Sequence, residues 1–469
     1  MQAAPMILDG RPMETADTFE VFNPATDELV AQAPACSPEQ LDRMVRGADE
    51  AFTSWRRDES ARRELLRKAA DALESHAERL GAIMTAEQGK PLPDSVGEVT
   101  RTAGWFRYYA DLEVDSVQQR TVDGVFLEVT RQPLGVVAGI VPWNMPVLLI
   151  GWKAAPALLA GNTIIIKPSP FTPLTALAVG EIFAEVFPPN VFSVASGPDP
   201  LGSQLSAHPL VRKVSFTGSI ETGKRVAASA SEDLKRITLE LGGNDAAIVL
   251  DDVEPERFAS DLFWAAFKNN GQLCSLIKRL YVPRARVQDF AEAIATVART
   301  ARVGDGALEG TQIGPLATRP QWEKIKEFAD TAIAQGAVAV TGGKPMEGPG
   351  NFFEPTVLIN VTDGDRIVDE EQFGPIMPII GHDGDEDALR RANAGNYGLG
   401  GSVWSEDIDR ALDLARRFEA GQTAVNHHSR GIRPDMPFGG FKWSGIGVEN
   451  GAWGYEAYTQ LHAVNAPAK

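Results

Sequence analysis

The sequence predicts an α/β fold with three parts: a doubly wound parallel sheet, a second α/β region and a small β flap. From residue 134 onwards, apolar strand segments alternate with segments of helical length, and a similar alternation starts again at about residue 243. Before this region, residues 112–133 alternate apolar and polar side chains on both sides of Asp123-Gly124. An Asp-Gly pair between alternating segments is typical of a β-hairpin, which predicts the flap.

The N-terminal region is predicted to be helical over residues 38–90. Ser37 precedes Pro38, and Gln40 follows three residues after Ser37, which is the pattern of a capping box with proline at the first helical position. Apolar residues then recur every three or four positions until Gly89, where the helical segment is predicted to end. We expect amphipathic helices on the surface of a domain.

Each predicted strand between residues 134 and 242 is followed by a predicted helix. The strands are LGVVAGIVP, NTIIIK, VFSVAS, VRKVSF and RITLEL. The helices are PVLLIGWKAAPALLAG, TPLTALAVGEIFAEVF, PLGSQLSAH and ETGKRVAASAS. Gly161 is expected to end the first of them. Thr172 is expected to be the N-cap of the second, with Pro173 at its first position. This alternation predicts a parallel sheet, and such sheets bind ligands outside the carboxyl ends of their strands.

The second α/β region combines long amphipathic helices with short apolar strands. Its predicted strands are AAIVL, IKRLYV, FFEPTVLINV and GGSVWS. Its predicted helices are EPERFASDLFWAAFKN, RVQDFAEAIATVARTA, RPQWEKIKEFADTAIAQG and DIDRALDLARRFEA. The tail YEAYTQLHAVNA is predicted to form a short closing strand.

Charge and composition exclude several classes of function. The 469 residues carry a net charge of −18, which argues against nucleic acid or an anionic membrane as a partner. Cys36 and Cys274 are the only cysteines, so neither a disulfide framework nor a zinc cluster is predicted, and the six scattered histidines predict no metal site. The start of the chain lacks a signal-peptide pattern, and few thiols suit a reducing cytoplasm, which is the predicted location.

Residues 269–276, NNGQLCSL, place a thiol behind a glycine at the end of a helical pattern. Cys274 is either a buried core cysteine or a nucleophile. Glu240 ends an apolar strand before two glycines, in TLELGGND. It is either a carboxylate at a solvated strand end or a general base whose pKa partial burial raises.

Two loop motifs leave similar alternatives open. Gly218 and Ser219 lie between a strand and a helix in VSFTGSIETG, where they either bind a phosphate or serve packing alone. Asn144 lies between two prolines in VPWNMP at the end of a strand. It is either a turn residue or a rigid donor to a developing oxyanion.

Seven motifs occur in one order along the chain: PWNMP, GWKAAPALLAGNTIIIKPS, SFTGSIETG, LELGGN, NNGQLC, EEQFGP and PFGGFKWSGIGVENG. Together they resemble the aldehyde dehydrogenase superfamily over nearly the whole length of the chain, and the 34 positions between Glu240 and Cys274 also suit that family. The resemblance implies oxidation of an aldehyde to the carboxylic acid with NAD or NADP. It implies an NAD(P)-binding domain of residues 1–111 and 134–242, a catalytic domain of 243–454, and an oligomerisation flap of 112–133 and 455–469. A homodimer or homotetramer is therefore expected.

The resemblance also implies the roles of single residues. Cys274 would attack the aldehyde carbon, and Asn144 with the backbone N–H of Cys274 would hold the oxyanion of the thiohemiacetal. Glu240 would activate the water that hydrolyses the following thioester, with Lys153 and Glu449 as a proton-relay pair behind it. Cofactor-binding roles are implied for Trp143, Lys167, Ser169, Gly218, Ser219, Gly223, Leu241, Glu371 and Phe373.

One position departs from the pattern of NAD-preferring members. They commonly carry a glutamate three places after the lysine that corresponds to Lys167, and this chain has Pro170 there. The carboxylate that would repel a 2′-phosphate is missing, and Lys167 and Ser169 can accommodate that phosphate. Dual use of NAD and NADP is therefore expected.

The sequence predicts the class of substrate less precisely than it predicts the reaction. Met145, Trp152, Leu273 and Phe438 are expected to line a mostly apolar tunnel. Arg430 and Arg433 lie on a loop near its expected mouth, where they either hold the carboxylate of a semialdehyde or are surface arginines. The roles of His427 and His428 stay open.

Three other functions are alternatives to hydrolytic aldehyde oxidation. A relative that passes the acyl group to coenzyme A would lack Glu240, and a thioesterase would not need the cofactor positions. An inactive binding scaffold would be expected to lose Cys274, Asn144 or Glu240, and all three residues are present.

Overall fold

The N-terminal part of the chain forms two hairpins and four helices. The computed structural model describes residues 1–114, 117–428 and 432–468. The elements here are β1 (Met6–Leu8), β2 (Arg11–Met13), β3 (Asp17–Phe22), β4 (Leu29–Ala35), α1 (Pro38–Trp55), α2 (Glu59–Ser75), α3 (Ala77–Gln88) and α4 (Leu92–Asp111). The predicted capping box of α1 is confirmed, because the Ser37 side chain accepts from the Gln40 N–H and the Gln40 side chain accepts from the Ser37 N–H. Strands β1 to β4 were not predicted.

The predicted helical run is interrupted twice. The Asp58 side chain caps α2 by accepting from the Ala61 N–H, and His76 separates α2 from α3. At the end of α3, Gly89 adopts φ 94°, as expected for a glycine that ends a helix.

The first large sheet lies in the region that follows the flap hairpin. Its strands are β7 (Val136–Ile140), β8 (Thr163–Lys167), β9 (Phe192–Val194), β10 (Val211–Thr217), β11 (Arg236–Glu240) and the short β19 (Gly445–Ile446). Its helices are α5 (Pro146–Ala160), α6 (Leu174–Ala184), α7 (Leu201–Ala207) and α8 (Ile220–Ser231). The strand order is β19-β11-β10-β7-β8-β9, and every pairing is parallel except that of β19 with β11.

Successive residues of strand β8 enter different cores. Ile164 and Ile166 pack in the cluster that α2 to α6 cover, whereas Ile165 packs in the cluster on the opposite face with α1, α7 and α8. Helices therefore cover both faces of the sheet, and the predicted doubly wound α/β fold is confirmed.

The second large sheet has seven strands. They are β12 (Asp245–Val249), β13 (Ile277–Pro283), β14 (Val338–Thr341), β15 (Thr356–Ile359), β16 (Ile376–His382), β17 (Gly400–Trp404) and β18 (Gln422–Val425). The helices are α9 (Pro255–Phe267), α10 (Val287–Thr300), α11 (Arg319–Ala334), α12 (Arg366–Asp369), α13 (Asp385–Asn393) and α14 (Ile408–Arg416). The order is β14-β15-β16-β13-β12-β17-β18, and only β14 is antiparallel to its neighbour.

The flap is a three-stranded antiparallel sheet. It consists of β5 (Val117–Val122), β6 (Val125–Pro133) and β20 (Thr459–Pro467), and the short helix α15 (Gly451–Glu456) precedes β20. Asp123 and Gly124 have φ 50° and 74°, which suits the two-residue hairpin turn predicted from this pair. Strand β6 lies in the middle and pairs along its length with the C-terminal tail.

One predicted cap is wrong. Helix α6 begins at Leu174, and the Thr172 hydroxyl makes no hydrogen bond to the described part of the chain. The N–H groups of Leu174 and Thr175 instead donate to the carboxylate of Glu87, over 2.6 and 2.9 Å. This cap comes from α3, 87 positions earlier in the chain, so the local sequence does not show it.

No helix in the described ranges is both long and apolar enough to cross a membrane.

Candidate active site

The turn before Cys274 has an unusual backbone. Asn269, Asn270 and Gly271 all have positive φ, at 49°, 57° and 73°. Asparagine tolerates this conformation better than most residues, and glycine adopts it freely. A Cβ at Gly271 would lie 2.1 Å from the carbonyl oxygen of Gly374, so no side chain fits there. The NNG motif therefore bends the chain sharply and presses it against a neighbouring turn just before the thiol.

Cys274, Glu240 and Asn144 lie on the wall of one cleft of about 650 Å³. Glu240 is the last residue of β11, and Asn144 follows β7, so both are at the carboxyl edge of the first sheet. Cys274 comes from the second α/β region, between α9 and β13. The cleft thus brings together three residues from different parts of the fold, all of which sequence reasoning had singled out.

The Cys274 thiol is not activated by its surroundings in the chain. Burial, together with the carboxylates of Glu371, Asp245 and Glu240, raises the pKa of Cys274 to about 12, against the opposing charge of Lys278. Desolvation is the largest cause of this shift, since removal from water disfavours the charged thiolate. The thiol needs a proton acceptor or an added positive field before it can attack.

Asn144 is held by contacts on both its side chain and its backbone. Its Nδ2 donates to the carbonyl of Gln272 over 3.0 Å, which places the amide against the Cys274 loop. Its backbone oxygen accepts from the Lys90 ammonium over 2.7 Å. Lys90 is paired in turn with Glu98 at 2.6 Å, and both side chains are buried. Glu98 also accepts the N–H groups of Val147 and Leu148 at the start of α5.

The Lys90–Glu98 pair was missed from the sequence. Its two members lie on a loop and on α4, more than 40 positions before Asn144, and only the folded chain brings them to it. An unpaired buried charge is costly, so this pair is expected to hold the Asn144 loop in place.

Glu240 is a buried carboxylate with few partners. It is 2% exposed, and neither carboxylate oxygen has a hydrogen bond within the described residues. Burial raises its pKa well above the usual range, the charge of Glu449 adds to this, and Lys153 opposes it. A carboxyl group with this environment takes up a proton readily, which is the property of a general base.

Lys153 and Glu449 form a fully buried ion pair behind Glu240. The ammonium lies 2.7 Å from the Glu449 carboxylate and donates to Thr217 Oγ1 over 2.8 Å. Ser215 donates to the same carboxylate over 2.9 Å. Because Thr217 pairs with Glu240 across β10 and β11, these groups extend from the cleft into the protein interior.

The residues implied in cofactor binding follow neighbouring parallel strands. Trp143 follows β7, Lys167 ends β8, Gly218 follows β10 and Leu241 follows β11, so all four lie at the same edge of the sheet. Ser169 lies two positions beyond Lys167. This is the edge at which doubly wound sheets bind their ligands.

Lys167 is a buried cation at this edge. No described carboxylate forms an ion pair with it, and burial lowers its pKa to about 8. A buried ammonium without a close anion suits a ligand rich in hydroxyl or phosphate oxygens. The residues present therefore fit a nucleotide.

The turn between β10 and α8 is closely packed. The Gly218 N–H donates to the carbonyl of Glu240 over 3.0 Å, and Ser219 caps α8 through the Thr222 N–H. A Cβ at Gly223 would lie 2.5 Å from the Leu241 side chain, so these two predicted residues pack directly on each other. The glycines thus let helix and strand approach closely.

Glu371 and Phe373 lie on the turn before β16. Glu371 accepts the Gly243 N–H over 3.1 Å, and burial raises its pKa to about 7, against the charges of Lys278 and Lys324. The Phe373 ring meets Trp143 edge to face, with 5.5 Å between ring centroids. The predicted residues Trp143 and Phe373 therefore join the two α/β regions beside the cleft.

The four residues expected to line a substrate tunnel all lie on the cleft wall. They are Met145, Trp152, Leu273 and Phe438. Trp152 stacks on Trp105 at 5.8 Å and meets Phe438 edge to face at 4.9 Å, which makes one side of the cleft aromatic. Further apolar lining residues were not predicted: Trp105, Leu148, Leu149, Trp264 and Ile432.

The predicted residues Arg433, His427 and His428 lie in different environments. Arg433 is exposed and makes a bidentate ion pair with Asp435, and it does not line the cleft. Arg430 lies outside the described residues. His427 and His428 line the cleft, and buried His428 contacts Ser402 Oγ at 2.9 Å and Asp245 at 3.4 Å. Within the described ranges no group of three His, Cys, Asp or Glu residues is placed to hold a metal ion.

Comparison with known proteins gives one result. The model of the aldehyde dehydrogenase family matches residues 12–464. The betaine aldehyde dehydrogenase of Staphylococcus aureus, solved in complex with NAD+, is 32% identical with a TM-score of 0.96, over 100% of this chain and 95% of that one. An aldehyde dehydrogenase from Bacillus cereus is 33% identical over 100% and 97%, with a TM-score of 0.96. A putative aldehyde dehydrogenase from Burkholderia cenocepacia is 35% identical over 100% and 98%, also with a TM-score of 0.96.

Proposed function

The chain belongs to the aldehyde dehydrogenase family, and we propose that it is a hydrolytic member in which Cys274, Asn144 and Glu240 carry the reaction. It oxidises an aldehyde to the carboxylic acid through a covalent bond to a cysteine. The observation that carries the residue assignment is the shared cleft, in which a thiol, a fixed amide and an unpartnered buried carboxylate face one space.

The first half of the reaction uses Cys274 and Asn144. The Cys274 sulfur attacks the carbonyl carbon as its proton passes to a water molecule in the cleft, and the carbonyl oxygen becomes an oxyanion. The second hydrogen of Asn144 Nδ2 and the backbone N–H of Cys274 donate to that oxyanion. A nicotinamide dinucleotide, when bound, supplies the acceptor for the hydride that leaves the former aldehyde carbon.

The second half of the reaction uses Glu240. It takes a proton from a water molecule that attacks the thioester, and the carboxylic acid leaves while the Cys274 sulfur is released. The Lys153–Glu449 pair behind Glu240 takes part in returning that proton to solvent. The presence of Glu240 on the cleft wall favours water over coenzyme A as the acyl acceptor.

The dinucleotide is proposed to lie along the carboxyl edge of the first sheet. Lys167 and Ser169 would hold the adenosine ribose, the turn at Gly218 and Ser219 the pyrophosphate, and Glu371 with Phe373 the nicotinamide riboside. Trp143 would line the cofactor-binding cleft at this edge, and Gly223 with Leu241 would set how closely α8 approaches the sheet. The S. aureus relative binds NAD+, and we propose that this chain uses both NAD and NADP.

Replacement of Pro170 by glutamate is expected to shift the cofactor preference towards NAD. A carboxylate beside Lys167 would accept from ribose hydroxyls and repel a 2′-phosphate, and like charges brought together in a binding site cost several kcal/mol. We expect the ratio of kcat/KM with NAD to that with NADP to rise at least about tenfold. Steady-state assays with both cofactors measure it.

Pro170→Ala is the matched control, because it removes the ring without adding a charge. Its NAD to NADP ratio is expected to stay within about twofold of wild type. An unchanged ratio in Pro170→Glu, with both variants folded, would place the 2′-phosphate away from residue 170.

The cleft wall supports an apolar substrate. Its inner side carries Trp105, Trp152 and Phe438, whereas the cations Arg101 and Lys268 are exposed and Asp94 and Asp261 lie beside the same opening. A buried carboxylate would lose its hydration without gaining a partner among the aromatic rings. We propose that aromatic and long aliphatic aldehydes are the preferred substrates.

A panel of aldehydes tests both the reaction and the substrate class. Formation of reduced cofactor, followed by absorbance, is expected with aromatic and long aliphatic aldehydes at kcat/KM values at least about tenfold above those of carboxylated semialdehydes. A preference for carboxylated semialdehydes would support the alternative that the chain is a semialdehyde dehydrogenase. It would point to Arg101, Lys268 or the loop of Arg430 as the group that binds the substrate carboxylate. Turnover that needs coenzyme A would move the chain to the acyl-transferring members.

The flap is proposed to mediate a homodimer or homotetramer. Its three-stranded sheet exposes Val117, Val122, Val125, Leu461 and Val464. An exposed sheet with apolar side chains is stable in solution only when another surface covers it. Sedimentation velocity is expected to show a species of two or four chains, and a single species of 50.5 kDa would contradict the proposal.

A cytoplasmic location remains the prediction from the thiol content.

A further inference from the structure

Lys278 is a buried lysine that none of the sequence motifs had marked. It is the second residue of β13, four positions after Cys274, and it is 1% exposed. Its ammonium donates to the carbonyl of Gly271 over 2.5 Å and lies 5.5 Å from the centroid of the Phe373 ring. It therefore touches both the strained turn before the thiol and the turn that carries Glu371.

The charges around Lys278 are mostly negative. Glu371, Asp245 and the Cys274 thiol act on it from three segments, and Lys324 is the opposing cation. Lys324 belongs to α11 and donates to the backbone carbonyl of Glu371 over 3.1 Å. Burial lowers the pKa of Lys278 to about 8, so it is largely protonated at neutral pH.

The charges around Cys274 are unbalanced without this lysine. Three carboxylates, those of Glu371, Asp245 and Glu240, each disfavour the thiolate, and Lys278 favours it. In a dry site such charges act more strongly than in water. A thiolate that forms there needs a nearby cation, and Lys278 is a cation held within the same junction.

The turns beside Cys274 are closely packed. A Cβ at Gly243 would lie 2.5 Å from the carbonyl oxygen of Cys274, and one at Gly242 would lie 2.4 Å from Glu371 Oε2. Together with the contact of Gly271 on Gly374, these contacts hold the turn before Cys274, the turn after β11 and the turn that carries Glu371 close together.

We propose that Lys278 is a positioning residue whose positive charge stabilises the Cys274 thiolate, in addition to holding the Gly271 turn. The proposal rests on Cys274 being the nucleophile of the proposed function. Lys278 acts on the equilibrium in which the Cys274 S–H bond breaks, the proton passes to a base and the sulfur keeps the electron pair. Lys278 itself touches neither substrate nor proton in this step.

Alkylation of Cys274 by iodoacetamide measures thiolate formation without aldehyde or cofactor. The thiolate displaces iodide, and the Cys36→Ala background leaves Cys274 as the single cysteine of the chain. Removing a cation beside an ionisable group shifts its pKa by about 1–2 units, and the higher nucleophilicity of a more basic thiolate offsets about half of that effect. Lys278→Met is therefore expected to be alkylated about three- to tenfold more slowly between pH 7 and 9.

Two further variants separate charge from hydrogen bonding. Lys278→Gln keeps a donor for the Gly271 carbonyl but has no charge, so it is expected to be slow like Lys278→Met. Lys278→Arg keeps the charge and is expected to react within about threefold of the parent. A Gln variant as fast as the parent, or an Arg variant as slow as Met, would overturn the role of the charge.

Lys235→Met controls for the loss of any buried lysine. Lys235 is 9% exposed, pairs with Asp233 and is not among the groups that act on the Cys274 thiol. Its alkylation rate is expected to equal that of the parent, and thermal melts of all variants establish that they are folded. If Lys278→Met does not fold, the Gln and Arg variants still decide the outcome. Aldehyde turnover of the parent protein, measured in parallel, tests the proposed function separately.

Discussion

Cys274→Ala is expected to abolish aldehyde oxidation. Without the thiol no covalent bond to the substrate forms, and removal of a nucleophile costs about 10⁴-fold or more in kcat. The side chain is half-buried at the cleft wall, and alanine leaves the packing of the strained turn intact. The expected result is a folded protein that still binds the dinucleotide, with residual reduced-cofactor formation below about one part in 10⁴ of wild type.

Cys36→Ala is the matched control for this variant. Cys36 is also half-buried, its sulfur contacts the Ser37 carbonyl at 3.6 Å, and it does not line the cleft. Burial raises its pKa to about 12, as it does that of Cys274, so the comparison of the two variants tests the location of the thiol. Turnover of Cys274→Ala near that of wild type would remove the thiol from the reaction.

Glu240→Gln is expected to separate the two halves of the reaction. Hydride transfer does not need this carboxylate, so about one equivalent of reduced cofactor per active site should appear rapidly. Hydrolysis of the thioester needs a base, and the loss of one lowers the steady-state rate by about 10²- to 10⁴-fold. Stopped-flow absorbance shows the burst and the slow phase, and mass spectrometry detects the acyl group on the chain.

The pH dependence of hydrolysis follows from the same burial. The pKa of Glu240 is raised, so its base form is present at high pH and is lost as the pH falls through that pKa. The steady-state rate of the wild type should therefore rise with pH, and this limb should be absent in Glu240→Gln. Glu449 raises the pKa of Glu240, so Glu449→Gln should move the limb to lower pH. A limb that Glu240→Gln leaves in place would assign the base to another group.

Local patterns predicted local structure well. The capping box at Ser37 and Gln40, the turn at Asp123 and Gly124, and the helix end at Gly89 involve residues at most four positions apart. Each depends on backbone preferences and short-range hydrogen bonds that any chain with those residues shares. The alternation of strands and helices likewise predicted the two parallel sheets, since burial on both faces leaves its own apolar pattern.

Contacts between distant segments could not be predicted from local sequence patterns. Thr172 has the residue type of an N-cap, yet Glu87 from α3 caps α6 because the fold places a carboxylate there. The Lys90–Glu98 pair beneath Asn144 and the lysine at 278 are ordinary charged residues in the sequence. Their importance comes from burial, which depends on what packs over them.

The sequence by itself determined the α/β fold and the family, and it predicted Cys274, Asn144 and Glu240 as the thiol, the amide and the carboxylate of the candidate site. Only the tertiary structure decided their chemical state. Cys274 and Glu240 both have raised pKa values because the packing of two α/β regions buries their side chains at the wall of one cleft. Desolvation and the charges of Lys278, Lys153 and Glu449 act through distances in space, and these distances are set by the fold and not by position along the chain.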